Sequence, residues 1–209
     1  MEQFNNAQGQ VVISPNNKAL RVRPMMSFIE AVKTCFKKYA NFSGRARRSE
    51  FWWYMLFIAI IEIILYAVII STIDFKAYLE AGSDPFSLEQ DRIMYRNPAG
   101  VVYLIFSIIT FIPSLAVQVR RFHDVSKSGK WIILPYILLA IVYIGLSQFI
   151  ATQKIALLLI MIVAILTLLV FGIIFLVWSC LDSKPQTNKW GASPKYEEVE
   201  INTPMSQQQ

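Results

Sequence analysis

The stretch RRFHDVSKSGKW, residues 120–131, decides how this chain is read. Its twelve residues hold the only histidine, four of the twenty Lys/Arg and a Ser-Gly turn. An apolar run lies on either side: residues 101–119 carry no charge in 19, and residues 131–147 none in 17. About 20 apolar residues carry a helix across a hydrocarbon core of roughly 30 Å. The basic stretch therefore reads as a tight loop at a membrane surface, joining two spanning helices. Further out, residues 51–73 carry one charge in 23 and residues 155–178 none in 24. The pattern predicts an all-α membrane protein with four spans, at about residues 51–73, 99–119, 131–150 and 155–178.

Composition agrees. Apolar residues make up 55% of the 209 and charged residues 16%, against about 45–50% and about 25% in soluble domains. Fifty mostly polar residues precede the first run, so that run is expected to be a retained signal-anchor; a cleaved signal peptide has its apolar stretch within roughly the first 30 residues. Cys35 and Cys180 are isolated, and with one histidine they offer no zinc-type spacing. No disulfide, metal or cofactor is expected.

Residues 1–25, rich in Asn and Gln, are expected to be a flexible polar extension, and residues 196–209 a flexible polar tail, around a membrane domain at 26–195. From Met26 a helix pattern begins, with Phe28, Ile29, Val32, Phe36 and Tyr39 on one face and Lys33, Lys37 and Lys38 off it. This is the signature of an amphipathic helix lying in the membrane interface. Ser43-Gly44 ends it, then Arg45, Arg47, Arg48 and Glu50 lead into Phe51, Trp52, Trp53 and Tyr54. Arginines outside a span anchor that end, and Trp and Tyr rings prefer headgroup depth.

Glu62 stands eleven residues past Phe51, near mid-membrane. A charge there costs about 2.5–3.5 kcal/mol on insertion scales, so it should face protein or water, or stay protonated. Asn97-Pro98 reads as the cap and first position of the second span. In that span Tyr103, Ser107, Thr110, Ser114, Gln118 and Arg121 recur every three or four residues and form one polar stripe. Such a stripe should face other helices, and Pro113 should loosen the helix beside it.

Residues 1–50, 120–130 and 179–209 hold 9, 4 and 3 Lys/Arg, sixteen in all; residues 74–100 and 148–154 hold 3 and 1. The positive-inside rule places the sixteen, and both termini, in the cytoplasm. The net charge of +6 is then a topology signal, with attraction to anionic headgroups as a second effect. Nucleic-acid binding explains it poorly, because the charge borders the spans.

Three stretches now share one side: GRARRSEFWW at 44–53, RRFHDVSKSGKW at 120–131 and NKWGASP at 188–194. In this order and spacing the chain resembles the bacterial family of domain of unknown function 805, over roughly residues 27–195. Lys130 and Trp190 are small departures, since the family often has a second large residue and a tyrosine there. The resemblance implies a small inner-membrane protein with about four spans; it implies no reaction or substrate.

The three stretches emerge at one interface and are expected to meet. Arg45, Arg47, Arg48, Arg120 and Arg121 would face Glu50 and Asp124, with His123 in reach and favoured in its charged form by the acid beside it. Asp124 or Ser128 would cap the third span, Gly129 would permit the turn, and Trp131, Asn188 and Gly191 complete the set. A network fixing the loop comes first, an anionic ligand second and catalysis last, since neither a nucleophile elbow nor a phosphate loop is present. Function then falls to a non-enzymatic envelope protein binding a partner protein, a second copy or anionic lipid. The alternatives are a small transporter or channel subunit using Glu62 and the stripe, and a lipid-modifying enzyme using His123 and Asp124.

Overall fold

The computed structural model describes residues 3–6, 9–13, 19–81, 92–93 and 96–199. The sequence Gly82-Ser83-Asp84-Pro85, which reads as a turn, lies outside them. Six α-helices are described: α1 Phe28–Lys37, α2 Arg48–Thr72, α3 Phe75–Ala81, α4 Pro98–Asp124, α5 Ile133–Thr152 and α6 Ile155–Cys180. A 3-10 turn, Gly129–Ile132, leads into α5. The helices α2, α4, α6 and the stretch 129–146 are long and apolar enough to cross a membrane. Four spans follow, as the sequence predicts.

Local chemistry sets the ends. The Asn97 side chain accepts from the Ala99 N–H at 2.9 Å, and Pro98 opens α4. That proline lacks a donor the first turn has no use for. At the far end α4 runs five residues beyond the predicted 119, so Arg120 to Asp124 are helix and only residues 125–128 form the link. The charged turn stays helical because its side chains find buried partners, described below.

Helix α1 opens with a capping box. The Glu30 N–H donates to Ser27 Oγ at 3.4 Å, and the Ser27 N–H to the Glu30 carboxylate at 2.9 Å. Its packed side includes Phe28 and Phe36 of the predicted apolar face and adds two small residues. Ala31 and Cys35 are fully buried, while Ile29 is 62% exposed and Tyr39 is exposed. The small side chains let α1 approach α2, where Phe28 meets Trp53 and Phe36 meets Tyr54, both with ring centroids 5.9 Å apart. Helix α2 also packs on α4, and α5 pairs with α6 through a link at Gln153, whose φ is 52°.

Within the two end segments, expected as flexible and polar, the described residues include four strands. Strands β1 Gln3–Asn6, β2 Gly9–Ile13, β3 Ala19–Val22 and β4 Tyr196–Val199 form one antiparallel sheet in that order. Composition hid them. Val11, Val12 and Ile13 are β-branched and carry strand propensity among polar neighbours. β4 is recruited from the other end of the chain, with Arg21 opposite Glu197.

Candidate functional site: a buried arginine–carboxylate plate

Asp124 ends α4 at 0% exposure, and three donors converge on its carboxylate. Arg45 Nε donates to Oδ1 at 2.9 Å, Ser183 Oγ donates to Oδ2 at 2.5 Å, and Arg121 Nη1 also donates to Oδ2. Two buried guanidiniums share one carboxylate, so the second charge must be met elsewhere. Backbone carbonyls meet it. Arg45 donates to Lys184, Gln186 and Gly191 at 2.5, 2.8 and 3.3 Å. Arg121 donates to the carbonyls of Ser179 and Ala46, each at 3.2 Å, and to that of Leu181. Arginine suits this task, because its planar fork offers five donors and stays charged when buried. The segment after α6 is thus drawn under the bundle.

A second pair lies apart from the first. Arg120 Nη2 donates to Glu50 Oε1 at 3.0 Å, and Nη1 to the carbonyls of Asn41 and Lys38 at 2.7 and 3.2 Å. Beneath it, burial pushes the Cys35 thiol up to about 12, with Glu50 adding to the effect. The Ala46 N–H donates to the Arg120 carbonyl at 3.0 Å, tying the two pairs together.

His123 does not pair with its neighbour. The Asp124 carboxylate is turned to Arg45, Arg121 and Ser183, so no acid assists the ring. His123 Nδ1 lies 3.1 Å from the Gly44 carbonyl, which can only accept, so Nδ1 carries the proton. Gly44 has φ +83°, a conformation that glycine adopts readily. The ring stacks on Trp190 at 4.3 Å and 11°, and Asn188 Nδ2 donates to the His123 carbonyl at 2.9 Å.

Gly129 serves space rather than the turn: a Cβ there would sit 2.5 Å from Val119 Cγ1 and 3.2 Å from His123 Nε2. The left-handed residue of the link is Ser126, φ 63°. Ser128 Oγ accepts from the Lys130 N–H at 3.4 Å, so it caps, whereas Asp124 does not.

The structure leaves other residues of the expected network outside the plate. Arg48 is half exposed and pairs with Asp182 at 3.0 Å. Arg47 donates to the Pro24 carbonyl at 2.6 Å; burial holds its guanidinium below the ordinary value, Asp182 opposes that, and Arg23 and Arg48 add to it. Trp131 stacks with Phe171 at 6.1 Å, within an aromatic group on α6. Glu62 is half-buried in α2, far along the span. Of the stripe, Thr110 is buried, and Tyr103, Ser107, Ser114 and Gln118 are half-buried. Thr110 and Ser114 hydroxyls donate to carbonyls of their own helix, at Phe106 and Thr110, and Gln118 Nε2 donates to Ser179 Oγ at 3.3 Å. Ser183, Asp182 and the carbonyls of residues 179–191 were not foreseen. A carbonyl has no residue type, so no sequence signal marks it.

With its guanidinium N–H groups engaged except Arg120 Nε, the plate is a clamp. It fixes the ends of α2, α4 and α6 to one another, and it has no aligned acid, base and nucleophile. Fold and clamp together define a small helical membrane protein with four spans, closed at one end by buried ion pairs. The chain belongs to the family described as Protein of unknown function (DUF805), whose family model matches residues 39–192. It is similar to the inner membrane protein YhaI of Escherichia coli (strain K12), 26% identical over 160 residues, covering 77% of this chain and 91% of YhaI. Inner membrane protein YhaH of the same organism is 26% identical over 162 residues, covering 77% of this chain and 93% of YhaH. No solved structure matches the chain at a significant level. The chain is an integral inner-membrane protein.

Proposed function

We propose that this is a non-enzymatic envelope protein whose basic end faces the cytoplasm and binds anionic headgroups of the inner leaflet. One observation carries the reading. Arg45, Arg120 and Arg121 are buried on Asp124, Glu50 and backbone carbonyls, so the motif arginines build a rigid base, and an anionic ligand would be met by the less enclosed cations around it. Arg23, Arg47, Arg48 and Lys195 border one cavity together with the single carboxylate of Asp182. Excess cationic charge beside a membrane attracts acidic lipid, at about 1 kcal/mol per Lys or Arg near the surface. The test is native mass spectrometry of the full chain released from gentle detergent. Retained phosphatidylglycerol or cardiolipin in preference to phosphatidylethanolamine is the expected result; no preference defeats the reading.

One observation keeps a second reading, a transporter or channel subunit. Glu62 is half-buried in its span and has no hydrogen-bond or ion-pair partner among the described residues. Proton flux in proteoliposomes that disappears in Glu62→Gln would support it, and flux equal to empty liposomes would remove it.

A further inference from the structure

The cavity bordered by the four cations, about 240 Å³, does not end in solvent on every side. It shares Met25, Arg48 and Ser49 with a second cavity of about 500 Å³, which is otherwise lined by Trp52, Trp53, Leu56 and Cys180. One compartment is cationic and the other apolar. Their junction is the first turn of α2, where the chain enters the membrane.

We propose that these joined cavities seat one anionic glycerophospholipid, its phosphate at Arg47, Arg48, Lys195 and the start of α2, and an acyl chain along Trp52 and Leu56. The proposal deepens the lipid-binding reading above and rests on it.

Three independent features point to that occupant. Helix α2 has 25 residues and no side chain caps its N-terminus, since the residue at the cap is Arg47. An uncapped helix start presents backbone N–H groups and the positive end of the helix dipole to an anion. Ser49 lies in that first turn and lines both cavities; it is 9% exposed, and its hydroxyl has no hydrogen-bond partner. A buried hydroxyl left alone costs about as much as a lost hydrogen bond, and a phosphate oxygen at the junction would accept from it. The third feature is charge. Asp182 pairs with Arg48 at 3.0 Å and with Lys195 at 2.5 Å, and Arg23 is held by Glu197 at 3.3 Å. Arg47 has a carbonyl for its partner and, among the described residues, no carboxylate. Burial, Arg23 and Arg48 all work against its charge, and an arriving phosphate would relieve that.

Apolar contact decides between a lipid and a free phosphate. Trp52 and Leu56 are 39% and 43% exposed at the depth where the span begins. Trp rings at that level accept acyl chains on their faces and stay near water at the N–H.

Cys180 lines the apolar compartment and is exposed, whereas Cys35 is buried, so the unmodified protein carries its own reporter. Alkylation of Cys180 by N-ethylmaleimide should be several-fold slower in nanodiscs of 30 mol% phosphatidylglycerol in phosphatidylcholine than in phosphatidylcholine alone. Arg48→Gln should restore the fast rate in the same nanodiscs, and retention of phosphatidylglycerol in native mass spectra should fall about tenfold, the size of one charge-assisted contact. Inorganic phosphate added to phosphatidylcholine nanodiscs should give no protection; full protection by phosphate would make this a plain anion site and overturn the lipid assignment. Phosphatidylglycerol retained by the native chain but untouched by Arg48→Gln and by Trp52→Ala would overturn this seat and leave the broader reading standing. Failure of the native chain to retain it would sink both.

Discussion

Pro113 has no N–H, so the carbonyl four residues back, Ile109, loses its helical partner in the middle of a span. Tyr39 supplies the replacement: its hydroxyl donates to the Ile109 carbonyl at 2.6 Å, from the turn that follows α1. An unfilled carbonyl cannot turn to water within lipid, so this bond ties the surface helix to α4. Tyr39→Phe is expected to lower stability by about 1–3 kcal/mol, read as a fall in the unfolding midpoint in detergent. Pro113→Ala restores an N–H for Ile109, so the double variant should lose less than the sum of the single changes; additive losses would show that Tyr39 does not serve this carbonyl. The carboxylates separate by burial in the same way. Asp124→Asn leaves two buried guanidiniums without their anion and should cost about 3–5 kcal/mol, while Asp182→Asn, at a half-exposed pair, should cost about 0–1 kcal/mol. Gly129→Ala pushes a methyl group against Val119, an overpacking worth about 1–3 kcal/mol, and Val119→Ala in the same chain should recover part of it.

At the scale of elements, the β3–β4 join is held by charge and by the ladder. Glu197 receives Arg21 at 2.5 Å and Arg23 at 3.3 Å, and hydrogen bonds from Arg21 hold its carboxyl below the usual carboxylate range. Burial opposes ionisation of Asp182, but Lys195, the Ser183 N–H and Arg48 outweigh it and leave that carboxyl low as well. A carboxyl lowered by folding stabilises the fold above its unfolded value, about 4, and the contribution is lost as pH falls through the lower folded value. The tail strand should therefore stay protected from protease at neutral pH and become cleavable below about pH 4, with Glu197→Gln partly exposed already at pH 7. Equal protection at both pH values would show that the ladder alone holds β4. The spans were legible before any coordinates because about 20 apolar residues in a row leave a helix little alternative to lipid, and Asn97-Pro98 announced its own cap. The sheet was not legible, since strands of four or five residues carry too little pattern and one partner of β3 lies at the other end of the chain. Of the plate, its charged members stood out as residue types. The way they divide, with His123 on a backbone carbonyl and Asp124 turned from it, depends on side-chain direction, which adjacency in sequence does not supply.

For the whole molecule, two separate facts bear on how the chain threads the bilayer. Sixteen of the twenty Lys/Arg fall in the segments 1–50, 120–130 and 179–209, and the bias against carrying such charge across predicts that this side faces the cytoplasm. The sheet adds a constraint that counting does not contain. β3, from the N-terminal end, is hydrogen-bonded to β4, from the C-terminal end, so both ends lie on one face and the chain must cross an even number of times. The plate repeats that constraint, since Arg45 ahead of the first span reaches the carbonyls of Lys184 and Gln186 beyond the last. A fluorescent reporter fused after Gln209 is expected to mature in the cytoplasm, and alkaline phosphatase at the same point to remain inactive. The sheet has its own test: Arg21→Cys with Glu197→Cys, at directly opposed positions, should form a disulfide on mild oxidation of the purified protein, within the Cα separation of about 4.4–6.8 Å that the bond requires. An active phosphatase fusion with an intact disulfide would invert the orientation and keep the four crossings; an active fusion without the disulfide would break the fold at its charged end, and the lipid seat at the start of α2 with it.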